Sequence, residues 1–168
     1  MFDTLEKTVG FLARAMAILG GIVLIVLVAI TCASIVGRSL TFIGLNQVNG
    51  DYELVELGVG FAVFAFLPWT QFSKGHARVD LFESAFARWQ NLLSDLVSDL
   101  LLLAIALVGG YRLWLGMLDK LNYGETTFIL QFPIWQAYAT GVLGMAVFAI
   151  VAAFCVLRSL RAFGGVAA

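Results

Sequence analysis

The chain has 168 residues, of which 61% are hydrophobic and 12% charged, with a net charge of -1 at neutral pH. Soluble domains average roughly 45–50% apolar and about 25% charged residues, and one of this length has too little interior to hide the surplus. An ordinary soluble domain is therefore excluded, and without a basic run so is a nucleic-acid partner. The reading is an all-α integral membrane protein.

Charges divide the chain into spans. The N-terminal stretch is mixed in sign, with Asp3, Glu6 and Lys7. The apolar run that follows is longer than a signal-peptide core, so no cleaved leader is expected. Residues 15–37 hold no charge over 23 positions. As a helix they reach about 34 Å, enough to cross a hydrocarbon core of about 30 Å. The first span is placed at 12–37, with Arg14 and Arg38 able to snorkel at its ends.

The second span is placed at 53–73. Its uncharged core, residues 57–73, has only 17 positions, near the lower limit. Glu53 and Glu56 fall in its opening turns, Pro68 is expected to kink it, and Trp69 suits the interface.

The connection that follows carries Val79, Phe82, Phe86, Trp89 and Leu93 at intervals of 3, 4, 3 and 4. That spacing makes one helical face, and Asp80 with Glu83 resembles a capping box. Residues 79–91 are read as an amphipathic helix lying in the membrane plane. The alternative is an N-terminal extension of the third helix.

The third span, 92–117, contains Asp95, Asp99 and Arg112, and its uncharged stretch is only 100–111. It crosses if those carboxylates sit near one surface or face protein. The fourth span, 134–157, is clean, flanked by Pro133 and Trp135 on one side and Arg158 and Arg161 on the other. Four spans put both ends on one side. That side would hold Lys7, Arg14, Lys74, Arg78, Arg88, Arg158 and Arg161, against Arg38, Arg112 and Lys120 opposite. The positive-inside rule then gives N-in and C-in. Residues 1–168 are read as a single membrane domain.

Little catalytic chemistry is visible. The lone histidine, His76, excludes bis-histidine haem ligation within the chain and weakens any metal site. Cys32 and Cys155 both lie in apolar stretches and read as core residues. No nucleophile–base pair or phosphate loop appears, so neither an enzyme nor a cofactor is expected. Glu53 with Glu56, and Asp95 with Asp99, share helical faces at three- and four-residue spacing. Ionisable groups in a span raise a functional hypothesis by default. Their places near span ends favour a boundary role, hydrated or bonded to a partner, over proton carriage. Rows of small residues (Ala29, Ala33, Gly37; Gly58, Ala62; Ala106, Gly110; Ala137, Gly141) permit close helix approach, either within this bundle or to another membrane protein.

Several words recur in a telling order. They are Ile35-Val36-Gly37-Arg38, Glu53-Leu54-Val55-Glu56, Pro68-Trp69 followed by Lys74-Gly75-His76-Ala77-Arg78-Val79-Asp80, Gly124-Glu125-Thr126-Thr127, and Phe132-Pro133-Ile134-Trp135. This set resembles the small, DctQ-type membrane subunit of TRAP (tripartite ATP-independent periplasmic) transporters, over about residues 10–160. The resemblance implies a multi-pass protein of the bacterial inner membrane that serves sodium-driven uptake of organic anions, carboxylates or sulfonates. Its partners would be a large DctM-type membrane subunit, a periplasmic DctP-type binding protein and membrane lipids. Its role would be to brace the large elevator subunit and help dock the binding protein. On this reading Arg38, Glu53, Glu56, Trp69, His76, Arg78, Asp80, Asp95 and Asp99 are subunit-contact candidates. Asp51, Asp119, Lys120 and Glu125 are docking candidates for the binding protein. Phe82, Phe86, Trp89 and Trp135 anchor the membrane interface. Two other classes compete: a self-contained, proton-coupled four-helix carrier using Glu53, Glu56, Asp95 or Asp99, and a membrane anchor of a redox complex.

Overall fold

The computed structural model describes residues 2–44, 46–76 and 88–164. Among these residues four helices carry the fold: α1 (Phe2–Ser39), α2 (Asp51–Phe72), α3 (Arg88–Tyr123) and α4 (Ile134–Gly164), with a short 3-10 turn at Thr41–Ile43. All four are long and apolar enough to cross a membrane. The expected all-α, four-span architecture is thus present. Arg78 and most of the expected amphipathic helix, with Asp80, Phe82 and Phe86, lie outside the described residues. Its last positions, from Arg88 onward, are already part of α3.

The helices outrun the apolar belts that specify them. At about 1.5 Å per residue, α1 with its 38 residues spans about 57 Å. Apolar packing continues into its N-terminal part. Val9 and Ala13 of α1 are buried with Val151, Phe154 and Cys155 of α4, covered by Trp69 and Phe72 of α2. These contacts put both chain ends at the same end of the bundle, here the termini end. The other, the loop end, carries residues 40–50 and 124–133.

Helix α4 touches all three other helices, whereas α1 and α3 do not meet. One side of α4 packs on α1 and α2. Another presents Met145 and Phe148 to Ala106 of α3, with Phe64, Leu67, Leu102 and Leu113 closing over them. Lipid gives helices no hydrophobic reason to associate, so close fit and internal polar contacts must do it. The small-residue rows divide accordingly. Gly37, Ala62, Ala106 and Gly141 are buried in the bundle, while Ala29 and Ala33 face outward.

Pro68 sits inside a continuous α2 and is buried. Proline has no N–H, so the carbonyl four residues back, on Phe64, loses its helical partner. Gly144 of α4 lies against that carbonyl. A methyl added at Gly144 would stand 2.7 Å from the Phe64 Cβ and 3.0 Å from its carbonyl oxygen. The glycine is therefore required for α4 to approach α2 at this level.

Gly144→Ala is expected to push α2 from α4 and, through overpacking, to destabilise the detergent-solubilised chain by about 1–3 kcal/mol, seen as a lower melting temperature. Gly60→Ala adds a methyl that meets nothing within 4 Å, so it should leave stability unchanged or raise it by up to about 1 kcal/mol. Equal melting shifts for the two would contradict this packing.

Candidate functional site

The polar side chains gather at the two ends of the bundle. At the termini end α2 closes in a Schellman turn. The Gly75 N–H bonds the Thr70 carbonyl at 2.8 Å and the Lys74 N–H bonds Gln71 at 3.2 Å. The motif requires a left-handed residue at the first position past the cap, and Lys74 occupies it with φ 53°. A non-glycine residue there costs about 1–2 kcal/mol. In return the turn aims the Lys74 ammonium at Asp95 of α3, at 2.5 Å.

Beneath that pair lies a buried network. Gln71, Asp99 and Ser159 are 2%, 6% and 6% exposed. The Asp99 carboxylate accepts from Gln71 Nε2 at 2.8 Å and from Ser159 Oγ at 2.5 Å. A carboxylate only accepts, so Gln71 must turn its NH2 to Asp99 and its carbonyl to His76. That carbonyl lies 3.0 Å from His76 Nε2, and the imidazole must then carry a proton on Nε2. His76, Gln71, Asp99 and Ser159 thus form one directed chain across α2, α3 and α4. A cleft of about 390 Å³ opens beside it, lined by Lys74, His76, Asp95 and Ser98 with apolar Leu102 and Ile105 below.

The loop end is organised by two other carboxylates. Asp51 receives Ser34 Oγ of α1 at 2.5 Å and caps the Tyr52 N–H at 2.9 Å. Both Asp51 and Glu53 favour the positive N-terminus of α2. Glu53 accepts the backbone N–H groups of Ile129 and Leu130 at 2.6 and 2.8 Å. It thereby ties the connection between α3 and α4 onto α2. Within that connection Thr126 pairs with Pro133 as an isolated bridge, and Thr127 N–H meets the Phe132 carbonyl at 2.9 Å. Gly50 adopts φ 76° beneath it, and a side chain there would strike Leu130.

The remaining sequence candidates fall as follows. Arg38 bonds Gln47 Oε1 at 2.6 and 3.1 Å; neither Glu53 nor Glu56 is its partner. Glu56 is exposed on α2, beside Tyr138 and Leu113. Lys120 pairs with Glu125 at 2.6 Å, and Asp119 is exposed. Trp69 is half-buried in an aromatic stack with Phe72. Trp89 is exposed in the first turn of α3, and Trp135 is half-buried at the start of α4. Gln71, Ser159, Ser34 and Gln47 were not singled out from sequence. The available signal was polarity at the ends of apolar spans, where a side-chain hydrogen bond between helices is the usual cause.

Four membrane-crossing helices with polar ends define a multi-pass membrane component. A family model describing the DctQ component of tripartite ATP-independent periplasmic transporters matches residues 27–162. The chain belongs to that family. Searches of curated proteins and of solved structures each gave no match.

Two outcomes follow from the geometry. Asp99→Ala strands Gln71 and Ser159 and should cost about 2–5 kcal/mol, whereas Asp95→Ala removes a partly exposed pair worth about 0–1 kcal/mol. Melting curves in detergent compare them, and equal losses would contradict the buried network. Glu53→Gln removes one of two acceptors for the Ile129 and Leu130 amides. Hydrogen exchange at those amides should quicken by about tenfold or more, and unchanged protection would sink the clamp.

Proposed function

We propose that this chain is the fixed small subunit of a sodium-driven importer of organic anions. It braces a large DctM-type elevator subunit in the bacterial inner membrane and helps a DctP-type binding protein dock. The family assignment supports a transporter component. The observation that carries the scaffold role over a self-contained carrier is the engagement of three of the four acids that such a carrier would use. Asp99 is held by Gln71 and Ser159, Asp95 by Lys74, and Glu53 by two loop amides. Groups locked into structural bonds are poorly placed to exchange protons with a substrate cycle.

The termini end, with Lys7, Arg14, Lys74 and Arg158, is assigned to the cytoplasm on charge. The loop end then faces the periplasm. There Asp119 and Glu125 stand at the surface, while Asp51 serves the α1–α2 junction. Glu56, exposed on α2, is the carboxylate best placed to meet the large subunit. It is also the group on which the carrier reading would rest.

The test is co-purification. The chain is tagged in its native cell, extracted in mild detergent, and its companions are identified by mass spectrometry. A stoichiometric large polytopic membrane protein is the expected companion. Recovery of the chain only with itself, from an extract that preserves other complexes, would overturn the scaffold reading. So would uptake by the chain alone in proteoliposomes that Glu56→Gln abolishes.

A further inference from the structure

A second cluster lies beside the Asp99 network at the termini end. Arg14 of α1 lies over the ring of Trp69, 5.4 Å from its centroid. Trp69 and Phe72, one turn apart on α2, stack at 6.1 Å. Arg158 of α4 lies over Phe72 at 5.8 Å, and Phe72 in turn stacks on Phe154 at 6.3 Å. Two guanidiniums from different helices are therefore laid on one aromatic ladder.

Stacking satisfies the face of a guanidinium and leaves its N–H edge available. The Arg158 edge reaches only neutral acceptors at long range, the Phe72 carbonyl at 3.4 Å and Cys155 Sγ at 3.8 Å. Among the described residues the ion pairs are Lys74–Asp95 and Lys120–Glu125. Neither Arg14 nor Arg158 has a carboxylate partner there. Among the described residues the site carries two positive charges without an ion-paired counterion.

Its depth and surroundings say what would supply one. Arg14 directly precedes the uncharged residues 15–37, and Arg158 directly follows the uncharged residues 134–157. Both thus mark the level at which the hydrocarbon ends and phosphates begin. Below Arg14, on the same face of α1, Ile18, Ile22 and Ile25 are exposed. Their spacing of 4, 4 and 3 makes a continuous apolar track running from the guanidinium into the span. Lys7, also exposed, lies two turns above Arg14 on that face.

We propose that Arg14 and Arg158, held on the Trp69–Phe72 ladder, bind the phosphate of an anionic phospholipid whose acyl chain follows Ile18, Ile22 and Ile25. The planar guanidinium fork suits phosphate oxygens, and stacking on the rings holds it in place before the lipid arrives. This site does not depend on the transport role proposed above.

Native mass spectrometry of the detergent-solubilised chain, given equal phosphatidylglycerol and phosphatidylcholine, tests it. Wild type should retain phosphatidylglycerol preferentially, by about tenfold or more for two basic groups at the surface. Arg14→Gln with Arg158→Gln should bring the two lipids near parity. Arg14→Lys with Arg158→Lys keeps the charge without the fork and should retain only part of the preference. This lysine variant also serves if the glutamine one does not fold. Parity in wild type would overturn the site, as would full preference in a folded glutamine variant. Displacement of the lipid by millimolar inorganic phosphate would assign the site to a soluble anion. Loss of a co-purified membrane protein, with lipid retention unchanged, would assign the guanidiniums to a protein carboxylate.

Discussion

The Asp99 carboxylate is where three of the four helices are joined. It belongs to α3, and it receives Gln71 from α2 and Ser159 from α4. Inside a bilayer an unbonded polar group is costly, and packing of apolar surfaces by itself does not choose between neighbours. A buried acceptor with two specific donors does choose. It sets α3 against α4 at one height and one rotation, and it fixes the end of α2 relative to both. The orientation of Gln71 follows from it, and through Gln71 the protonated nitrogen of His76.

The middle and the loop end follow the same rule by other means. Pro68 frees the Phe64 carbonyl inside α2, and the bundle answers with Gly144, whose missing side chain brings α4 against that carbonyl. At the loop end Glu53 gathers two backbone amides from the chain between α3 and α4. Asp51 meanwhile ties α2 to Ser34 of α1. The bundle is thus pinned near both ends and close-fitted between them. Pinning of this kind suits a part that stays still while another moves, which accords with the bracing role proposed for this member of the DctQ family.

The arginines show how much depends on the neighbours of a charge. Lys74 meets a carboxylate and is neutralised within the chain. Arg14 and Arg158 meet aromatic rings, which hold a cation without cancelling it. One end of the bundle therefore combines the Lys74–Asp95 ion pair and a hydrogen-bonded Asp99 carboxylate with two arginines that have no carboxylate partner among the described residues.

Much of the fold was legible in the residues. Charge-free runs such as 15–37 and 134–157 are long enough only for membrane-crossing helices, because lipid tolerates no unpaired backbone and few charges. The ordered words around Arg38, Glu53, Pro68, His76 and Pro133 pointed to the family that the matched residues 27–162 bear out. Pairing was another matter. Arg38 has Glu53 and Glu56 within range of any sequence argument, yet it bonds Gln47, which the loop after α1 carries back over the helix end. Asp95 and Asp99 share a helical face four residues apart, yet one meets a surface lysine and the other is sealed between α2 and α4. Hydrophobic spacing determines that a segment is a helix and that it enters the bilayer, since both are local properties of the chain. Which helices touch, and which polar group answers which, depends on rotation and height between segments distant in sequence, and those only the tertiary packing decided.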